Sequence, residues 1–156
     1  MIIKNKPFYK TIVISMFANT ENYFIEKSIC EQTWSQLFDN SILHLFYTSG
    51  CRDKSIKVGN TLYLPCNDTL SDTFCKTLKA IEYIVDNYQF ENLIKTNVST
   101  YINSKVMQKM LDWKKVYDND SIYCNKLHLV NFGFFARGDF TVLNYNHCKT
   151  IVEYAS

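Results

Sequence analysis

The tract Lys95-Thr96-Asn97-Val98-Ser99-Thr100-Tyr101-Ile102-Asn103 carries the side chains best suited to chemistry: two short oxygen-bearing groups, separated by one residue, in a polar turn. Turned to the same side, Asn97 and Ser99 can approach a diphosphate or the cation it carries. The competing use is structural, with either residue capping a helix that runs from Asn103 onward. Other candidates offer less. His147 and Cys148 are chain neighbours, about 100° apart on a helix, and make a poor base and nucleophile pair. His44 lies inside an apolar run and reads as a hydrogen-bonded core histidine. The nearest cysteines, Cys66 and Cys75, have eight residues between them, so no CxxC zinc or redox spacing exists. Neither GxGxxG nor GxxxxGK[ST] occurs, which disfavours dinucleotide-binding Rossmann and P-loop chemistry.

The elements that must position these residues follow from the pattern of apolar side chains. Thr11 to Phe17 is a continuous β-branched and apolar run, the signature of a strand buried on both faces. Asn19 or Thr20 can cap a helix in which Ile25, Ile29, Thr33 and Leu37 repeat at helical spacing. Ile42 to Tyr47 reads as a second buried strand, residues 48–60 as an exposed loop, and Thr61 to Leu64 as a short strand stopped by Pro65. Leu70, Phe74, Leu78, Ile81, Val85 and Tyr88 trace one helical stripe, leaving Lys76, Lys79, Glu82 and Asp86 off it. Asn92 to Thr96 is then a strand, and Val106, Met110 and Trp113 mark a further helix. Strands over 121–123, 127–132 and 140–143 and a closing helix capped by Asn144 complete the series. This alternation predicts a three-layer α/β sandwich with a mixed, mostly parallel sheet. The loops after the strands then share a rim, where open α/β sheets bind ligands.

With 156 residues, 47% of them hydrophobic, and no linker or repeat, the chain reads as one domain over residues 1–156. A net charge of +2 and only two arginines, Arg52 and Arg137, argue against a nucleic-acid partner. No apolar run approaches the ~20 residues of a membrane span, and no secretory leader is evident, so the expectation is a cytoplasmic protein with reduced cysteines.

Phe74 to Asn103, reading FCKTLKAIEYIVDNYQFENLIKTNVSTYIN, resembles the core of GT-A glycosyltransferases related to the β-1,3-galactosyltransferase and Fringe group. There a lysine-threonine helix precedes a strand reading K-T-D-x-D-x-F/Y-V-N, whose aspartates hold the cation of a nucleotide sugar. Cys30-Glu31-Gln32-Thr33-Trp34 is similar to the group's I-R-x-T-W tract, and Phe135 to Asn144 resembles its later glycine-containing segment, apolar strand and capped helix. Here Asn97 and Ser99 replace both aspartates; viral and microbial relatives carry a similar T-N-x-S-S-F form.

The resemblance implies a GT-A-like domain, compact or truncated on its C-terminal side, that moves a sugar from a nucleotide-sugar donor to a hydroxyl of a glycan or other acceptor. Donor contacts would come from Phe17, Asn19, Lys76, Lys95, Asn97 and Ser99. Asn97 and Ser99 would be neutral ligands of Mn²⁺ or Mg²⁺, two negative charges short of the usual pair. Lys76 and Lys95 would offset charge on the departing diphosphate. Asp139 ranks ahead of Glu153 as the base for the acceptor hydroxyl. The alternative expectation is a non-catalytic binding or assembly domain on the same scaffold, with metal and base lost.

Overall fold

The computed structural model describes residues 5–124, 127–130, 133–136 and 140–155. Its central strand, β1 (Phe8–Met16), pairs in parallel with β2 (Ile42–Ser49) on one side and β5 (Gln89–Asn97) on the other. Beyond β2 lie parallel β4 (Thr61–Leu64) and antiparallel β3 (Ile56–Val58). Beyond β5 lie antiparallel β9 (Phe140–Asn144) and then β6 (Tyr123–Cys124). The order is therefore β3-β4-β2-β1-β5-β9-β6, a seven-stranded mixed sheet with a parallel centre. β7 (Leu127–Val130) and β8 (Gly133–Ala136) form a separate antiparallel pair.

The unbroken apolar runs follow from cover on both faces. Successive strand residues point to opposite sides. Ile12, Ile14, Leu45, Tyr47 and Leu93 join one core with α2 (Thr73–Asn87) and α4 (Tyr145–Ala155). Val13, Phe46, Ile94 and Val142 join the other with α1 (Glu21–Gln32), the 3-10 turn Trp34–Leu37 and α3 (Ser104–Tyr117). Each fully buried side chain of this kind contributes roughly 1.5–3 kcal/mol. The result is the expected three-layer α/β sandwich. Among the described residues, no helix is long and apolar enough to cross a membrane.

Cys148, Ile151 and Val152 on α4 and Ile81 and Val85 on α2 meet the core as expected, but elsewhere the buried faces differ from the expected stripes. On α1 the inward residue is Cys30, followed by Trp34, while Ile25, Ile29 and Leu37 are exposed. The chain leaves the 3.6-residue period at Gln32 and tightens into the 3-10 turn, which rotates the later residues. On α2, Lys76, Ala80, Ile81, Ile84 and Val85 face inward and Phe74 is exposed. Leu70 precedes the helix altogether. On α3 the inward face is Met107, Leu111 and Lys114, spaced i, i+4, i+7, and Val106 and Trp113 face solvent. Lys114 fits there because its stem is apolar and its Nζ donates to the Asn119 carbonyl at 2.6 Å. The loop expected over 48–60 contains β3, hairpinned onto β4.

Candidate functional site

The topology creates one crevice by construction. From β1 the chain passes through α1 to β2 and on to β4, on one side of β1; α2 then returns it to β5 on the other side. Connections leaving β1 and entering β5 diverge to opposite faces, and open α/β sheets take ligands at such a switch point, beyond the strands' C-terminal ends. A cavity of about 240 Å³ lies there, lined by Phe17, Asp68, Thr73, Lys76, Asn97 and Ser99 among others.

Local hydrogen bonding holds the wall. Met16 and Asn97 are register partners at the ends of β1 and β5, and the Val98 amide donates to the Met16 carbonyl at 3.1 Å. The Thr100 amide donates to the Asn97 carbonyl at 3.0 Å, closing the turn that carries Ser99. Neither Asn97 nor Ser99 caps the next helix. Asn103 does, its Oδ1 accepting from the amides of Lys105 and Val106 at 3.1 Å each.

Lys76 is only 4% exposed, although a lysine off the apolar stripe reads as a solvated charge. Its Nζ donates to Asp68 Oδ1 at 2.8 Å, and Asp68 Oδ2 accepts from the Asn19 amide at 2.6 Å. Burial opposes ionisation of Asp68, yet Lys76 and the Asn19 amide outweigh it and hold the carboxyl below its ordinary range. Asp68 thus clamps the loop after β1 to the first turn of α2. Gly50 completes the support: at φ +138°, a Cβ there would stand 3.2 Å from Asn19 Nδ2 and from the Tyr63 ring.

Of the residues singled out in the sequence, Phe17, Lys76, Asn97 and Ser99 come together around the cavity. Phe17 is buried, edge-on to Phe24 at 5.3 Å. Asn19 reaches the site through its amide and Asp68. Lys95 is buried beneath the wall, its Nζ donating to Asn97 Oδ1 at 3.2 Å. Asp139 lies outside the described residues.

Asp68 was not legible as a site residue. It follows a short strand in an unremarkable polar loop, and only the position of that loop on the rim signals it.

As a cation site the cavity offers one carboxylate, already engaged by Lys76, and the neutral oxygens of Asn97 and Ser99. Among the described residues no group of three His, Cys, Asp or Glu could hold a metal. Such a set fits a hard cation only when a ligand's phosphates supply further charge. His147 and Cys148 have structural roles: His147 donates its amide to Asn144 Oδ1 at 2.8 Å, and Cys148 is buried in the core. No protein-family model matches the chain, and no curated protein matches it significantly.

Proposed function

We propose that the crevice between β1 and β5 binds the diphosphate of a nucleotide sugar, and that the protein is a glycosyltransferase of GT-A-like architecture. The observation that carries this reading is the meeting of Asn97, Ser99 and Lys76 around a cavity at the switch point of the sheet. The Asn97 side-chain amide nitrogen and the Ser99 hydroxyl can donate to phosphate oxygens. Lys76 supplies a positive charge from a buried position, where desolvation strengthens its pull on developing negative charge. Asp68 holds that ammonium in place and limits its net charge. Asp68, Asn97 and Ser99 would hold the Mn²⁺ or Mg²⁺ that accompanies the diphosphate; bound there, the cation supplies Lewis-acid stabilisation of the leaving group.

A second reading keeps the scaffold without turnover, as a binding or assembly domain. The neutral residues at 97 and 99 and the partner already on Lys76 favour it. Hydrolysis of a panel of UDP- and GDP-sugars, with and without Mn²⁺, separates the two. A transferase releases nucleoside diphosphate from at least one donor, and Asn97→Ala with Ser99→Ala abolishes the release. Nucleotide binding without release from any donor selects the binding domain.

A further inference from the structure

Cys66 and Cys75 have eight residues between them and no recognised redox spacing, yet the fold brings their sulfurs to 2.8 Å. Cys66 follows β4 and Pro65, and Cys75 sits in the first turn of α2. All six cysteines are free thiols, and among the described residues this is the one pair whose sulfurs meet. Both are half-buried: Cys66 packs against the core, and the pair stays within reach of a small reagent. The segment they bracket is a wall of the crevice. Asp68, Thr69, Leu70 and Thr73 line it, and Lys76 follows Cys75 directly. That wall has little cover of its own, with Leu70 91% exposed. Its backbone closes through the Asp72 amide donating to the Thr69 carbonyl and the Thr73 amide to the Leu70 carbonyl, each at 3.2 Å, and Asp68 ties it to Lys76 and to the loop after β1.

We propose that Cys66 and Cys75 are a reversible dithiol/disulfide pair that fixes this wall when oxidised, its reagent a low-molecular-weight disulfide such as oxidised glutathione. The pair stands on the geometry of the wall and not on what the crevice binds. In the exchange the Cys75 sulfur, as thiolate, bonds to one sulfur of the reagent; the reagent's S–S bond breaks and the first glutathione leaves with the electron pair. Burial and the hydrogen bond to Cys75 push the Cys66 thiol up to about 12, so Cys66 enters second. It gives up its proton, bonds to the Cys75 sulfur and releases the second glutathione. Two protein thiols are oxidised, one disulfide is reduced to two thiols, and the two cysteine protons end on the leaving thiols. The bridge removes openings of residues 67–74, and with them excursions of Asp68 away from Lys76.

The test incubates the full chain in glutathione buffers from reducing to oxidising, blocks it with iodoacetamide and cuts it with trypsin, which leaves both cysteines in the single peptide 58–76. Oxidation is expected to give that peptide lighter by two hydrogens and without alkyl groups, and excess reduced glutathione to restore alkylation at both positions. The melting temperature of the oxidised protein should rise by roughly 5–10 °C, and amide exchange over residues 67–74 should slow by about tenfold. Cys75→Ser, close in size, should melt like the reduced wild type and show neither change in oxidising buffer. A bridge from Cys66 to Cys51, a lasting glutathione adduct on either cysteine, or full alkylation in every buffer overturns the pair. A bridge between 66 and 75 that leaves exchange over 67–74 unchanged overturns its hold on the wall. UDP or GDP should bind the oxidised form about threefold more tightly, because a fixed wall has less freedom to lose. That arm alone rests on the proposed function. A chain that forms the bridge but binds neither nucleotide loses the donor reading and keeps the pair, whereas equal affinity of both forms overturns control of the crevice by the bridge.

Discussion

His44 shows how a polar residue is accommodated inside the sheet, and its protonation is a measurable quantity. Its Nε2 and Nδ1 lie 2.8 and 2.7 Å from the hydroxyls of Ser15 and Ser35, and its ring packs 4.3 Å from Phe46 and 4.9 Å from Trp34. Burial pushes its pKa down to about 3 from the ordinary 6.5. The unfolded chain therefore binds a proton that the folded chain refuses between those values, and stability is lost as pH falls through that window. Urea denaturation at pH 7, 5 and 4 should show a loss of up to about 1.4 kcal/mol per pH unit from this group. His44→Gln, which can still bond both serines, should flatten the slope; an unchanged slope would place the titration elsewhere. The residue's core role was legible from its apolar neighbours. The inward turn of Lys76 was not, because its partner Asp68 lies eight residues earlier in a loop whose path only the fold determines.

At the scale of elements, the strands were read closely because a run of β-branched and apolar residues covered on both faces has no phase to mistake. The helices were located well, and Ile81, Val85 and Cys148 face inward as their spacing predicts, yet the buried faces of α1 and α3 and part of that of α2 were misassigned. An apolar stripe marks one edge of a helix, but packing selects the face that meets the sheet, and lysine stems at 76 and 114 occupy positions that polarity alone assigns to solvent. Cap assignment belongs here too. Asn103→Ala should cost about 1 kcal/mol of stability by removing the acceptor for the first amides of α3, and should leave nucleotide binding intact. Ser99→Ala should leave the thermal stability of the free protein nearly unchanged, whereas Asn97→Ala removes an acceptor from the buried Lys95 ammonium and should cost about 1 kcal/mol. Thermal melts of the three variants check these statements, and a cap-like loss at 99 would return that residue to a structural role.

For the whole molecule, alternation of strand and helix foretold the three layers, and the order β4-β2-β1-β5 supplied what composition does not, a crevice at the point where the connections part. Four sequence-selected residues meet there because β1 and β5 are register partners to their ends, bringing Met16 beside Asn97. Asp68 entered only through tertiary placement, belonging to no recognisable spacing.

The central claim is that this crevice takes a nucleoside diphosphate, and a thermal shift with UDP and with GDP, each with and without Mn²⁺, tests it most directly. At a hundred times its Kd the matching nucleotide should add about 2.7 kcal/mol, roughly 5–10 °C for a chain of this size. Mn²⁺ alone should give no shift, and Asn97→Ala with Ser99→Ala should abolish the nucleotide's effect. No shift with either nucleotide in the wild type, or an undiminished shift in the double variant, would contradict the claim.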